Sequence, residues 1–306
     1  MAALPTLRQL RYLVALDDHR HFGHAAEACA ATQSTLSAGL QELEALLGAS
    51  LVERTKRRVL MTPLGEEVVV RARQLLRDAE EISALVRSAA EPLSGPLRLG
   101  VIPTVGPYLL PKVMPHLRNQ HPNLRLYLRE DLTARLLERL ASGDLDLVLL
   151  ALPYRADEFE FETLFDDPFL VACPPKHPLA QERSDAVTLA AEEDLLLLEE
   201  GHCLREHALA ACHLSMPPGK PGGVQERMLA TSLTTLVQMV ACGLGVTLLP
   251  RMALDSGILA GTDLVSRSLG RDAPARTIGL AWRASSPRKA EFRLLGEAFK
   301  KFYEEH

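Results

Sequence analysis

At 306 residues, with 47% hydrophobic and 24% charged side chains, the chain is too long for one small core and too apolar to be largely disordered. Two or three folded units are expected. A formal net charge of −5 excludes a uniformly basic nucleic-acid binder, so any DNA contact has to come from a local arrangement of residues. The opening "MAALPTLRQLRYLVAL" lacks the basic start, uninterrupted apolar run and cleavage site of a secretory signal. No segment reads as long and apolar enough to cross a bilayer. The expectation is a cytoplasmic protein, in which thiols stay reduced unless they have redox or metal roles.

In chain order, Leu7, Leu10, Leu13, Val14 and Leu16 repeat at helical spacing until "DDHRHFG" interrupts them. A short helix follows over Phe22 to Cys29, with Ala25 and Ala26 permitting close packing. Beyond the turn "AATQS", Leu36, Leu40, Leu43 and Leu47 form a third stripe that stops at Gly48. Two short helices joined by a tight turn outline a helix-turn-helix. Thr32, Gln33, Ser34, Thr35 and Ser37 cluster where a recognition helix presents its first residues to base edges. Taken alone, Ser and Thr there also read as ordinary capping residues.

Arg54, Lys56, Arg57 and Arg58 crowd a turn in "LVERTKRRVLMT", the pattern of a two-stranded wing that carries phosphate-binding charge; a solvated turn is the plainer alternative. Pro63 then introduces an apolar stripe from Leu64 to Ala90, a helix of about 40 Å at 1.5 Å per residue, long enough to pair with its own copy. After the linker "EPLSGP" the texture changes to alternating strands and helices: "LRLGVIP", Leu109 to Gln120, "LRLYLRE", Thr133 to Ser142, "DLDLVLLA" and "LFDDPFLVACP". This alternation predicts a mainly parallel sheet with crossover helices. "GVTLLP" and "RTIGLAWR" read as later strands, and "SPRKAEFRLLGEAFKKFYEE" as a closing helix.

The order of these parts, carried by "LRQLRYLVAL" and "HFGHAAEACAATQSTLSAGLQELEALLGASLVERTKRRVLMTPLGE", resembles the LysR-type transcriptional regulators. "GVIPTVGPYLLP", "LLLLEEGHCLREHALAAC", "ATSLTTL", "GLGVTLLP" and "RTIGL" resemble the OxyR branch of that family, its hydrogen-peroxide-sensing members. The resemblance covers essentially the whole chain. It implies an α/β protein with a winged helix-turn-helix over residues 1–63 and a dimerising linker helix over 64–92. A two-subdomain, periplasmic-binding-protein-like α/β domain follows over 93–306, divided as about 97–166 with 271–306, and about 167–270. It further implies that Cys203 is the peroxidatic thiol and Cys212 its disulfide partner, with Thr104, Thr133, His202 and Arg205 lining the peroxide pocket. The implied partners are promoter DNA, hydrogen peroxide, RNA polymerase, cellular thiol reductants and further copies of the chain in a dimer of dimers. Such a regulator activates antioxidant genes and is not an enzyme; no cofactor, metal or membrane is implied. One departure is Ala38-Gly39 in the expected recognition helix, where Gly costs roughly 1 kcal/mol of helix propensity relative to Ala.

The residues around Cys203 suit a reactive thiolate. Gly201 can turn the chain so that the thiol lies at a helix N-terminus, His202 and Arg205 can add donors, and Glu199, Glu200 and Glu206 oppose them. Thr104, at the carboxyl end of a strand, and Thr133, at a helix start, supply hydroxyls where open α/β sheets bind ligands. On a continuous helix, Cys203 and Cys212 would lie about 13 Å apart along the axis and face nearly opposite ways, whereas a disulfide needs Cα atoms roughly 4.4 to 6.8 Å apart. Oxidation of the pair therefore requires the segment to unwind. Buried packing cysteines are the plainer reading. A metal site of Cys203, His207, Cys212 and His213 matches no standard zinc spacing. Cys29, Cys173 and Cys242 read as buried structural cysteines. A regulator answering to a small-molecule effector, and a thiol peroxidase, remain open alternatives, although a peroxidase has no need of a DNA-binding head.

Overall fold

The computed structural model describes residues 4–54, 59–154, 156–181, 195–211, 230–270 and 273–305, and the chain divides into two compact units, residues 1–87 and 88–306. In the first unit α1 (Leu7–His19) opens with a capping box in which Thr6 and Gln9 satisfy each other's backbone amides. α2 (Phe22–Ala28) is capped by the His21 imidazole, which accepts from the Gly23 and His24 amides. α3 (Gln33–Leu47) ends at Gly48, whose φ of +65° is the left-handed stop expected there. Leu10, Leu13, Leu16, Ala25, Leu36, Leu40 and Leu43 meet in one core.

The wing is the antiparallel pair β1 (Val52–Arg54) and β2 (Val59–Met61). It is fixed to α3 by the Glu44 carboxylate, which accepts from the Leu51 and Val52 amides at 2.8 and 3.1 Å. α4 (Pro63–Ala90) runs for 28 residues. Val69 and Ala72 join the winged-helix core, while Val70, Leu75, Ile82 and Val86 are exposed.

Gly39 has a packing reason. A Cβ at this position would stand 2.8 Å from the ring of Tyr12 on α1, so the glycine lets the first and third helices close on each other. The helix-propensity penalty seen in the sequence is therefore offset by close helix packing.

The second unit begins with β3 (Gly95–Val101), α5 (Gly106–Gln120), β4 (Leu124–Glu130), α6 (Thr133–Ser142) and β5 (Leu147–Leu152). β4, β3 and β5 are parallel neighbours, as the strand-helix alternation predicts. The expectation of a mainly parallel sheet fails beyond them. The long β6 (Phe159–Cys173) and the returning β9 (Ala275–Arg283) are antiparallel to each other, and β9 lies antiparallel between β5 and β6. β7 (Thr247–Pro250) and β8 (Val265–Ser268) also pair antiparallel with β6. The path β4-β3-β5-β9-β6-β7 results.

β6 has 15 residues, about 50 Å of extended chain, and serves two cores. One gathers β3, α5, β5, β9 and α11 (Lys289–Glu305) around Leu99, Leu149, Trp282 and Phe292. The other gathers Phe169 and Val171 of β6, α9 (Leu233–Ala241) and β7 around Val237 and Leu249. Tyr108 packs against both. Short α7 (Pro178–Gln181), α8 (Cys203–Ala211) and α10 (Arg251–Asp255) complete the described helices. Cys173 is buried and Cys29 half-buried, but Cys242 is exposed. It closes α9 beside the Gly243 turn.

Candidate functional site

The segment before α8 is held by two isolated parallel bridges, Leu195 to Val246 and Leu198 to Ala230, and by the Thr247 hydroxyl on the Leu196 carbonyl at 2.9 Å. Gly201 then adopts a φ of +93°, a conformation natural to glycine, and α8 starts at Cys203. The expected helix N-terminus at the thiol is present.

Cys203 is buried. Burial pushes its pKa above the ordinary thiol range, against the opposing pull of the Arg276 guanidinium, the Thr133 hydroxyl and the Ala151 backbone; Glu206 adds to the rise. Desolvation decides the balance that the sequence left open, and the resting group is a protonated thiol. Thr133, the first residue of α6, is buried, and its Oγ1 has no hydrogen bond of ordinary geometry to the protein. The Cys203 sulfur is its weak partner.

Arg276 is the charge that sequence reasoning missed. It faces Asp167 directly across β9 and β6, with Nε and Nη2 at 3.1 and 2.9 Å from one carboxylate oxygen. Its remaining donors reach the Thr104 hydroxyl and carbonyl, both at 2.8 Å. The other Asp167 oxygen accepts from the Met252 amide at 3.0 Å. With its oxygen accepting from Arg276, the Thr104 hydroxyl keeps its own proton to donate. A signal was available: Arg276 has the parity of Ile278, Leu280 and Trp282, all buried on β9, so a cation was written into an apolar face.

The remaining expected pocket residues have other partners. Arg205 donates to the Leu198 carbonyl at 3.2 Å and ties α8 to the preceding bridge. His202 is buried, with its imidazole 4.0 Å from Glu199, and burial holds it below the ordinary imidazole pKa. Cys212 lies outside the described residues.

At the other candidate surface, Thr32 caps α3 by accepting from the Thr35 amide at 3.2 Å, and its hydroxyl contacts those of Ser34 and Thr35. Capping and presentation coexist, because Gln33, Ser34 and Thr35 are exposed while Ser37 is half-buried. Arg54 ends β1; Lys56, Arg57 and Arg58 lie outside the described residues. Among the described residues there is no cluster able to hold a metal ion and no helix long and apolar enough to cross a membrane.

A winged helix-turn-helix joined in sequence to a two-core α/β domain defines a class of DNA-binding transcriptional regulators. Residues 7–66 match the bacterial regulatory helix-turn-helix protein, lysR family, and residues 90–303 the LysR substrate binding domain. The chain belongs to the LysR family of transcriptional regulators, and within it to the OxyR branch. It is 42% identical over 296 residues to the transcriptional dual regulator OxyR of Escherichia coli, covering 96% of this chain and 94% of that one. It is also 43% identical over 304 residues to the regulator EstR of Acinetobacter baylyi, covering 98% of each. Among solved structures, a full-length cysteine-to-aspartate OxyR from Pseudomonas aeruginosa superimposes with a TM-score of 0.75 at 38% identity, over 97% of this chain and 95% of that one. A hydrogen-peroxide-bound cysteine-to-serine OxyR mutant from Corynebacterium glutamicum gives 0.66 at 33%, over 100% and 94%.

Proposed function

We propose that the protein is a cytoplasmic regulator that senses hydrogen peroxide at Cys203 and converts the oxidation into altered promoter binding. The observation that carries this reading is the surroundings of the thiol: a buried sulfur beside a buried hydroxyl, Thr133, that makes no hydrogen bond of ordinary geometry, and a fixed guanidinium, Arg276. Polar groups left without partners in a dry site cost free energy unless a ligand completes them. Peroxide is small enough to enter such a site and both donates and accepts hydrogen bonds. Thr104 and Thr133 hold it, and Cys203 attacks one oxygen, giving a sulfenic acid and water. The sulfenic acid then condenses with Cys212 and releases a second water. On a continuous helix the two thiols would be out of disulfide reach, so closing the bond requires the segment to unwind, which makes the chemistry a conformational signal.

On the DNA side, Thr32, Gln33, Ser34, Thr35 and Ser37 meet the major groove, and Arg54, Lys56, Arg57 and Arg58 meet phosphates. The exposed apolar stripe of α4 pairs with a second copy, and a dimer of dimers contacts RNA polymerase as an activator. Cellular thiols reset the switch.

The test is mass spectrometry after stoichiometric peroxide, alongside footprinting of a bound promoter. A Cys203–Cys212 disulfide that changes the footprint supports the reading. Catalytic turnover with an unchanged footprint shows a thiol peroxidase instead. Thiols inert to peroxide, with a footprint that answers only to a small molecule, show a LysR-type regulator with its effector in the cleft instead.

A further inference from the structure

Two buried polar side-chain atoms around Cys203 make no hydrogen bond of ordinary geometry: Thr133 Oγ1, whose weak partner is the Cys203 sulfur, and His207 Nδ1. His207 lies four residues after Cys203 on α8, so the two side chains share a face one helical turn apart, with Cβ atoms about 5–6 Å from each other. The ring also interacts with the backbone carbonyl of Leu152 at the end of β5. Nδ1 is a buried ring nitrogen that makes no hydrogen bond, open to accept a proton when the ring is in its Nε2–H tautomer.

We infer that His207 is the proton shuttle of the peroxide reaction, taking the thiol proton on Nδ1 and delivering it to the leaving oxygen. This rests on the peroxide-sensing reading and assigns a residue to it. The need arises because Cys203 is a thiol at rest: attack requires loss of its proton, and departure of hydroxide requires a proton. In the step, the Cys203 proton moves to Nδ1. The sulfur electron pair forms the S–O bond to the nearer peroxide oxygen, the O–O bond breaks, and the far oxygen leaves with the bonding pair and takes the proton from His207. The products are Cys203 sulfenic acid, water and a neutral imidazole; sulfur is oxidised by two electrons and peroxide is reduced by two.

The charged and titratable groups around His207 favour this role. Arg276 on β9 opposes protonation of the imidazole, as does burial, while Glu206 on α8 and the Leu152 carbonyl favour it. Arg276 is itself neutralised by Asp167 on β6. Tyr154, just beyond β5, interacts with the same Cys203 and Glu206. The balance holds His207 below the ordinary imidazole pKa, so the base form dominates at neutral pH.

The test is the rate of Cys203 oxidation by hydrogen peroxide as a function of pH, in the full chain and in His207→Gln, with sulfenic acid trapped by a dimedone-type reagent. A neutral base paired with a protonated thiol gives a rate that is flat from about pH 7 to 8.5 and falls only on the acid side of the ordinary imidazole value, about 6.5. In His207→Gln the rate at pH 7 drops by about a hundredfold and rises about tenfold per pH unit as the thiolate fraction grows. A variant with the wild-type rate and profile overturns the shuttle while leaving the sensing reading intact. Wild-type Cys203 that is not oxidised at all overturns both. Should the variant not fold, the wild-type profile decides alone: a rate that rises steadily with pH, with no plateau, overturns the shuttle.

Discussion

Arg276 and Asp167 face each other across β9 and β6 with no solvent exposure on either side chain, and the same guanidinium holds Thr104 through two further bonds. One cation thus joins the thiol site to the long strand shared by both cores and, through Asp167, to the first turn of α10. Arg276→Gln leaves a buried carboxylate without its countercharge, a loss of about 3–5 kcal/mol when one partner of a buried pair is removed. It also withdraws the charge that opposes the rise in the Cys203 pKa. Chemical denaturation is expected to show the destabilisation, and alkylation of Cys203 at fixed pH to slow relative to wild type. A variant with unchanged denaturation midpoint and alkylation rate contradicts this account.

Gly39→Ala is the second prediction, and its sign depends on two opposed quantities. Helix propensity favours Ala by about 1 kcal/mol. Against it, the new methyl meets the Tyr12 ring at 2.8 Å, and that ring is buried and held by the Arg8 Nε to Tyr12 Oη bond at 2.6 Å. Overpacking of this kind costs about 1–3 kcal/mol. The substitution is expected to lower the melting temperature; a rise shows that Tyr12 moves aside freely.

How far the sequence carried these conclusions depends on the range of the interaction. The helical stripes, the Gly48 stop, the Gly201 turn and the wing strands are local patterns, and each was legible. Strand order was not: β9 enters between β5 and β6 from more than a hundred residues away, and nothing in the period of either strand specifies its neighbour. Arg276 was overlooked for the same reason, since its partner Asp167 is distant in sequence even though its inward parity was visible. Arg205 looked like the charge near the thiol because it is two residues away, whereas its guanidinium reaches back to Leu198. In the sequence His207 enters only as a member of a metal set that matches no zinc spacing; that its Nδ1 is buried and makes no hydrogen bond depends on packing that no local pattern shows.

Acid sensitivity of the second unit is the third prediction. Burial holds both His202 and His207 below the ordinary imidazole pKa, so the unfolded chain binds more protons than the folded one as pH falls. The stability contributed by the neutral rings is fully present above the unfolded value, about 6.5, and is lost as pH drops through the lower folded values. Urea denaturation at pH 8 and pH 5.5 should show a lower midpoint at pH 5.5, and a His202→Gln, His207→Gln double variant a smaller difference. Equal pH dependence in the double variant assigns the effect to other groups.

The fourth prediction separates the two halves of the proposed DNA interface, because phosphate contacts and base contacts respond differently to salt. Each phosphate neutralised by a wing cation contributes about 0.9 to the slope of log K against log salt. Replacing Arg57 and Arg58 by Gln should therefore weaken binding to every sequence and reduce the slope by about 1.8. Gln33 is exposed on the first turn of α3, the position from which a recognition helix reads bases. Gln33→Ala should leave the slope unchanged and reduce discrimination between the promoter and random DNA by about 1–3 kcal/mol. A slope unaltered by the double replacement removes the wing from the interface, and a Gln33→Ala slope that falls without loss of discrimination makes Gln33 a phosphate contact rather than a base reader.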